Sequence, residues 1–281
     1  MSNAVATQTN NKVSKIESLK SILKAPSVQE QFNNALKENA GSFVASIIDL
    51  YGTDNKLQQC EPKSVVMEAL KAAVLKLPIN RSLGFAYIIP YNKSVKNPDG
   101  SWTKMPIPQF QMGYKGYIQM AMRTGQYKFI NADQVCEGEI REVNKLTGEI
   151  DFRGEKKSEK VVGYFAYIEL LNGFSKTIYM TKEKVQAHAK KYSKTFETKD
   201  SVWVTNFDEM ALKTVLRNLL SHYGFLSVEM MTAFDNDAQA ESVETNENSK
   251  EIGIEDAEVV SSDPVKEQET VTEPVVEGPD F

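Results

Sequence analysis

Gln109-Phe110-Gln111-Met112-Gly113-Tyr114-Lys115-Gly116-Tyr117-Ile118-Gln119-Met120-Ala121-Met122-Arg123-Thr124-Gly125 changes its period at Gly113. Before that glycine, polar and apolar residues alternate as in a half-buried strand. After it, Tyr114, Tyr117, Ile118, Ala121 and Met122 recur at helical spacing. Gly125 is a natural stop for such a helix. Lys115, Gln119 and Arg123 fall at i, i+4 and i+8, so the helix carries a cation, an amide and a cation in one stripe. Phosphate suits such a face, because it can be held without reading a base. Gln109 and Gln111 on the preceding strand add neutral donors. An amphipathic helix with a solvated basic face has the same spacing, so the stripe by itself leaves both readings open.

Upstream of this stretch the chain reads as helices. Ile16, Leu19, Ile22 and Leu23 make one stripe, Val28, Phe32, Ala35 and Leu36 a second, and Phe43, Val44, Ile47 and Ile48 a third. Ser27-Val28-Gln29-Glu30 has the form of a capping box, and Glu61-Pro62 opens a fourth helix with proline at a first position. From Leu83 strands take over: Gly84 to Pro90 and Met105 to Met112 on either side of the Asn97-Pro98-Asp99-Gly100 turn signal. Downstream, Tyr127 to Val135, Glu139 to Val143 and Glu149 to Phe152 read as strands. Val161 to Leu171 and Phe174 to Met180 flank Asn172-Gly173, a hairpin signal. Thr181 caps a basic helix to about Tyr192, and a long helix runs from about Asn206 to Tyr223, where Gly224 stops it. The expected fold class is α+β: a helical cluster, then a bent antiparallel sheet with long helices on it forming a basic groove.

The long helix is expected to carry a second cationic line. Leu212, Val215, Leu216, Leu219 and Leu220 form its apolar stripe, while Asn206, Met210, Lys213 and Arg217 stack in a narrow strip well away from it. Thr205 adds a neutral donor. Trp203 and Phe207 lie just upstream, and Tyr114 opens the first helix. Aromatic rings beside a cationic track are what single-strand binders use, although Trp203 suits a core anchor equally well.

The net charge of −5 averages two unlike pieces. Residues 235–281 hold 15 Asp/Glu against 2 Lys, a net of −13; residues 1–234 hold 31 Lys/Arg against 23 Asp/Glu, a net of +8. The expected organisation is therefore a disordered N-terminus over 1–12, a binding and assembly core over 13–234, and an acidic, aromatic-poor, disordered tail over 235–281. The basic core suits a polyanion. No apolar run reaches the length of about 20 residues that spans a bilayer. The opening residues lack the apolar core of an export signal, so Cys60 and Cys136 read as reduced cytoplasmic thiols. Only two histidines, His188 and His222, are present, and no zinc spacing. Phosphate-transfer and hydrolase motifs (GxxxxGK[ST], GxSxG, HExxH) are missing. Asp133, Glu137, Glu139, Glu142, Glu149 and Asp151 show no spacing that makes a magnesium site.

Three blocks then carry a resemblance. Leu83-Gly84-Phe85-Ala86-Tyr87-Ile88-Ile89-Pro90-Tyr91, Met112-Gly113-Tyr114-Lys115-Gly116 with Arg123-Thr124-Gly125, and Trp203 with Glu209-Met210-Ala211-Leu212-Lys213-Thr214-Val215-Leu216-Arg217 resemble, in order, the signature blocks of the RecT family. These are phage-type single-strand annealing recombinases, more distantly similar to the Red-beta recombinase. Phe85 departs from the histidine often found there, which keeps packing and removes a hydrogen bond. The resemblance implies a non-hydrolytic protein that needs no ATP or other cofactor, with Mg2+ at most a counterion of DNA. It implies coating of single-stranded DNA by a homo-oligomer, a ring or helical filament, that pairs it with its complement. A partner 5′–3′ exonuclease, the host single-strand-binding protein, and a phage or prophage gene expressed in bacterial cytoplasm are implied as well.

On this reading Lys115, Gln119, Arg123, Lys213 and Arg217 hold phosphates in a groove between two helices, with Gln109, Gln111, Thr205 and Asn206 as further donors and Tyr114 and Trp203 as stacking candidates. Rival readings are a passive single-strand-binding protein, a metal-dependent nuclease, and an assembly protein whose basic helices join subunits.

Overall fold

A computed structural model describes residues 15–96, 98–193, 196–198 and 201–245. The termini expected to be disordered, 1–12 and, beyond Thr245, the remainder of the acidic segment, lie outside the described residues.

The helical cluster forms as its stripes dictate. Helix α1 spans 15–24 and buries Leu19 and Leu23; α2 (Pro26–Leu36) buries Phe32; α3 (Ala40–Thr53) buries Phe43, Ile47, Leu50 and Tyr51. Helix α4 (Pro62–Val74) begins on its proline as expected and buries Val65, Val66, Ala69, Ala72 and Ala73. The capping box at Ser27 does not form. Proline at the first turn sets the start of α2 two residues earlier, with Ala25 at the N-cap, and no side chain caps it.

Strands β1 (Ala86–Lys96) and β2 (Trp102–Met112) pair antiparallel from Ala86↔Met112 to Lys96↔Trp102. The base of this ribbon is buried at Ala86, Ile88, Phe110 and Met112, while its far end is exposed, Trp102 included. Helix α5 (Tyr114–Arg123) follows at once. Gly125 adopts φ +65° just beyond it, the left-handed conformation that closes helices.

A second sheet has the order β3-β6-β7, made of Tyr127–Cys136, Val161–Leu170 and Ser175–Thr181, all antiparallel. The small pair β4 (Glu142–Val143) and β5 (Ile150–Asp151) stands alone. The strands thus form separate antiparallel sheets rather than one continuous bent sheet. Helix α5 takes the chain out of the first ribbon before β3 starts the second sheet.

Thr181 caps α6 (Lys182–Tyr192), its hydroxyl accepting from the Lys184 N–H at 3.2 Å. The short α7 (Val202–Thr205) is capped by Ser201 and leads into α8 (Phe207–Tyr223), which buries Val215, Leu216, Leu219 and Leu220 on the sheet. The chain remains helical past the expected domain end: α9 (Val228–Thr245) crosses Asp235 and packs on β2 and α5. Met230 and Ala233 are fully buried there, and Phe234 stacks on Tyr117 with ring centroids 5.3 Å apart. One hydrophobic core joins the helical cluster to both sheets.

Candidate nucleic-acid interface

The first turn of α5 lies directly on the start of β1. A Cβ added at Gly113 would stand 2.2 Å from the Gly84 carbonyl oxygen, and one at Gly116 2.3 Å from that of Phe85. The Gly113 N–H donates to the Phe85 carbonyl at 3.0 Å, which continues the β1–β2 ladder. Glycine at these positions lets two backbones meet, so the neighbouring side chains must turn outward. Lys115 is exposed and lays its methylenes across Gly84, where an added Cβ would meet its Cδ at 3.3 Å and the Tyr87 hydroxyl at 3.3 Å. Its ammonium lies 5.8 Å from the Tyr114 ring centre. Tyr87 and Tyr114 are both half-buried. Burial holds the Tyr87 hydroxyl above its usual range, with smaller effects from Glu209 and Tyr114. An exposed cation, two aromatic rings and the N-terminal end of a helix dipole therefore share one face.

The rest of the stripe divides. Gln119 is half-buried in mid-helix. Arg123 turns to the end of α4, donating to the Leu75 and Lys76 carbonyls at 2.8 Å each. These bonds use two of its five donors, and the residue as a whole stays exposed. On β2, Gln111 donates to the Tyr91 hydroxyl at 2.8 Å, whereas Gln109 is buried and offers no donor at the surface.

The strip on α8 departs further from expectation. Lys213 is buried: its ammonium sits 2.9 Å from one Asp237 carboxylate oxygen and 3.0 Å from the other. The Tyr117 hydroxyl donates to the same carboxylate at 2.6 Å. Spacing along α8 says which residues share a face, not what covers each of them, and Asp237 of α9 covers Lys213. Two open ridges facing one cleft are therefore not what these helices present. Trp203 is a core anchor, only 8% exposed and edge-on to Phe196 and Phe207, which removes it as a stacking surface. Thr205 and Asn206 are exposed at the α7–α8 junction. Arg217 is half-buried beside His188 of α6. Burial, then the Arg217 and Lys191 charges, push the His188 imidazole down to about 4.

Two participants escaped the spacing argument. The sequence offers Tyr87 as an aromatic that could stack or pack without choosing between them, and its position beside Lys115 depends on the glycine contact. Asp237 was assigned to the acidic tail. Met230, Ala233, Phe234 and Asp237 follow i, i+3, i+4, i+7 spacing, a signal that does place Asp237 on the inner face of a helix. Among the described residues no three His, Cys, Asp or Glu side chains come together to hold a metal, and no helix is long and apolar enough to cross a membrane.

With strand, glycine junction and basic helix in that order, the chain agrees with a profile of the RecT family over residues 41–252, and it belongs to that family of recombination and annealing proteins. It is 44% identical over 255 residues to the uncharacterized protein YqaK of Bacillus subtilis, covering 90% of this chain and 82% of that protein. It is 28% identical over 224 residues to Protein RecT of Escherichia coli, covering 77% and 79% respectively. The matched segment includes α9, so the helix that seals Lys213 falls inside the family region.

Proposed function

We propose that this protein binds single-stranded DNA on the Lys115 face, coats it as a homo-oligomer in a ring or helical filament, and pairs it with a complementary strand. The observation that carries this reading is the exposed Lys115 ammonium beside Tyr87 and Tyr114 at the open end of α5. The ammonium and the helix N-terminus attract phosphate, and the rings offer π-surface to any base without choosing among them. Arg217, Lys191 and Lys182 extend the positive potential along α6 and α8, and the net charge of +8 over residues 1–234 steers a polyanion to the body.

No covalent step is required. Two strands repel through their phosphates, and a protein that neutralises one of them lowers the barrier to pairing. Bases held by stacking on one face keep their pairing edges available. Nucleotide hydrolysis has no part in this scheme, and Mg2+ acts only as a counterion. A 5′–3′ exonuclease that exposes the strand and a host single-strand-binding protein that yields it are the partners the scheme calls for, in the cytoplasm of a bacterial cell.

The test is annealing of two complementary oligonucleotides by the purified protein without ATP, with sizing before and after the first strand is added. The reading expects accelerated pairing and growth into assemblies on the strand. A protein that binds and protects the strand but leaves the pairing rate unchanged is a passive binder, and loss of DNA on adding Mg2+ makes it a nuclease.

A further inference from the structure

Lys37 and Lys76 are the non-glycine residues with positive φ among the described residues, each at +53°. Lys37 follows α2 directly, and Lys76 lies just past the end of α4, its N–H bonding back to the Ala73 carbonyl at 2.9 Å. These are the helix-end positions where glycine is least strained. A side chain kept in a strained conformation points toward a use for that side chain. The two lysines come from different helices, yet both line the same open trough of about 990 Å3.

The trough lies between the end of α2, the start of α3 and the end of α4. Leu36, Phe43, Leu70 and Leu77 line it with apolar surface, and Asn34, Asn39 and Asn80 add exposed amides. Arg123 reaches it from α5, and its bonds to the Leu75 and Lys76 carbonyls brace the turn that carries Lys76. Three cations face one lining carboxylate, Glu38; Glu229 at the start of α9 also feels the Lys76 charge. Both lysines are exposed, and neither ammonium has a hydrogen-bond or ion-pair partner among the described residues. Arg123 also ends the stripe that begins at Lys115, about 12 Å away along the axis of α5 at 1.5 Å per residue. Helix α5 thus carries Lys115 of the proposed strand-binding face near one end and Arg123 of the trough at the other. Lys37 lies before the segment matched by the family profile.

We propose that this trough is a second nucleic-acid subsite, in which Lys37 and Lys76 hold phosphates of a single strand while its bases meet the apolar floor and the Asn34 and Asn80 amides. Asparagine amides carry both donors and acceptors and so suit base edges; this favours a strand over an acidic peptide, which calls for cations alone. The inference rests on the reading that the protein binds single-stranded DNA.

Glycine substitution separates binding from folding at these two positions. Lys37→Gly with Lys76→Gly removes both ammonium groups while relieving the backbone, so thermal stability should hold or rise. Binding to a labelled oligothymidylate should weaken, and the slope of log K against log salt should fall by about 1.4, at about 0.7 per phosphate contact on single strands. Lys37→Gln with Lys76→Gln should show the same loss of slope if glycine loosens the helix ends. An unchanged slope in both double variants overturns the subsite. If Lys115→Ala loses binding in that same experiment, the proposed function stands without the subsite. Protection of the trough from hydrogen exchange by a polyglutamate peptide but not by oligothymidylate also overturns it, assigning the trough to a protein partner.

Discussion

Lys213 of α8 and Asp237 of α9 form a buried ion pair, 2.9 Å apart, with the Tyr117 hydroxyl as a third partner. Asp237 is 1% exposed and also lies 3.4 Å from the Met112 N–H, so one carboxylate ties together α8, α5 and the end of β2. The residues next to the glycine junction are thereby fixed from behind, on the side away from Lys115. Removing one member of a buried pair strands the other charge. Asp237→Asn or Lys213→Ala should each cost about 3–5 kcal/mol, measured by denaturant unfolding. Replacing both together, as in Lys213→Met with Asp237→Leu, should recover much of that loss. The recovered double variant should keep the wild-type salt slope for DNA, since a sealed lysine touches no phosphate.

The junction itself yields a second prediction. Gly113→Ala places a methyl group where the Gly84 carbonyl oxygen stands, 2.2 Å away. Backbone cannot give way as a flexible side chain can, so a cost of at least the roughly 1–3 kcal/mol typical of overpacking is expected. Gly125→Ala meets open space, and its cost comes from φ +65° alone. The ordering of the two melting temperatures, Gly113→Ala below Gly125→Ala, is the check.

How much of this was legible in the sequence follows from what periodicity encodes. The hairpin at Asn172-Gly173, the Thr181 cap and the helix between Gly113 and Gly125 are local features, and their residues specify them without reference to the rest of the chain. Lys115 was legible from its helical spacing, and its exposure follows from the local glycine junction at Gly113 and Gly116. Lys213 was misplaced because its environment comes from α9, which follows it in sequence and begins before the charge balance changes. Arg123 lies on the expected stripe, yet its partners are carbonyls at the end of α4, a contact no spacing along α5 can announce. The α+β class with antiparallel pairing was legible, but the division of the strands into separate sheets was not, because strand pairing across α5 is a tertiary choice.

His188 gives a pH prediction. Its folded-state value near 4 lies below the ordinary value, so above about pH 6.5 both states carry a neutral ring and the group has no effect on stability. As pH falls from about 6.5 toward 4, the unfolded chain takes up a proton that the folded one refuses, and stability is lost. The shift corresponds to about 3 kcal/mol, less whatever solvent screening removes. His188→Gln should flatten that part of the stability–pH curve relative to wild type, as followed by chemical denaturation at pH 7.5 and 4.5.

The two thiols should differ in reactivity. Cys60 is fully buried, and burial pushes its thiol up to about 11, leaving little thiolate at neutral pH. Cys136 is partly exposed at the end of β3. Iodoacetamide on the native protein should modify Cys136 and reach Cys60 only in denaturant, as read by intact-mass and peptide analysis.

Central to the account is a strand held at Lys115, between Tyr87 and Tyr114, on the open face of the glycine junction. The most direct measurement is the rate at which complementary oligonucleotides pair without nucleotide, with wild-type protein and with Lys115→Ala of unchanged melting temperature. The account predicts rapid pairing by the wild type and at least a tenfold loss in the variant, together with a shallower salt dependence of strand binding. Equal rates for the two proteins, at equal occupancy of the strand, would contradict it.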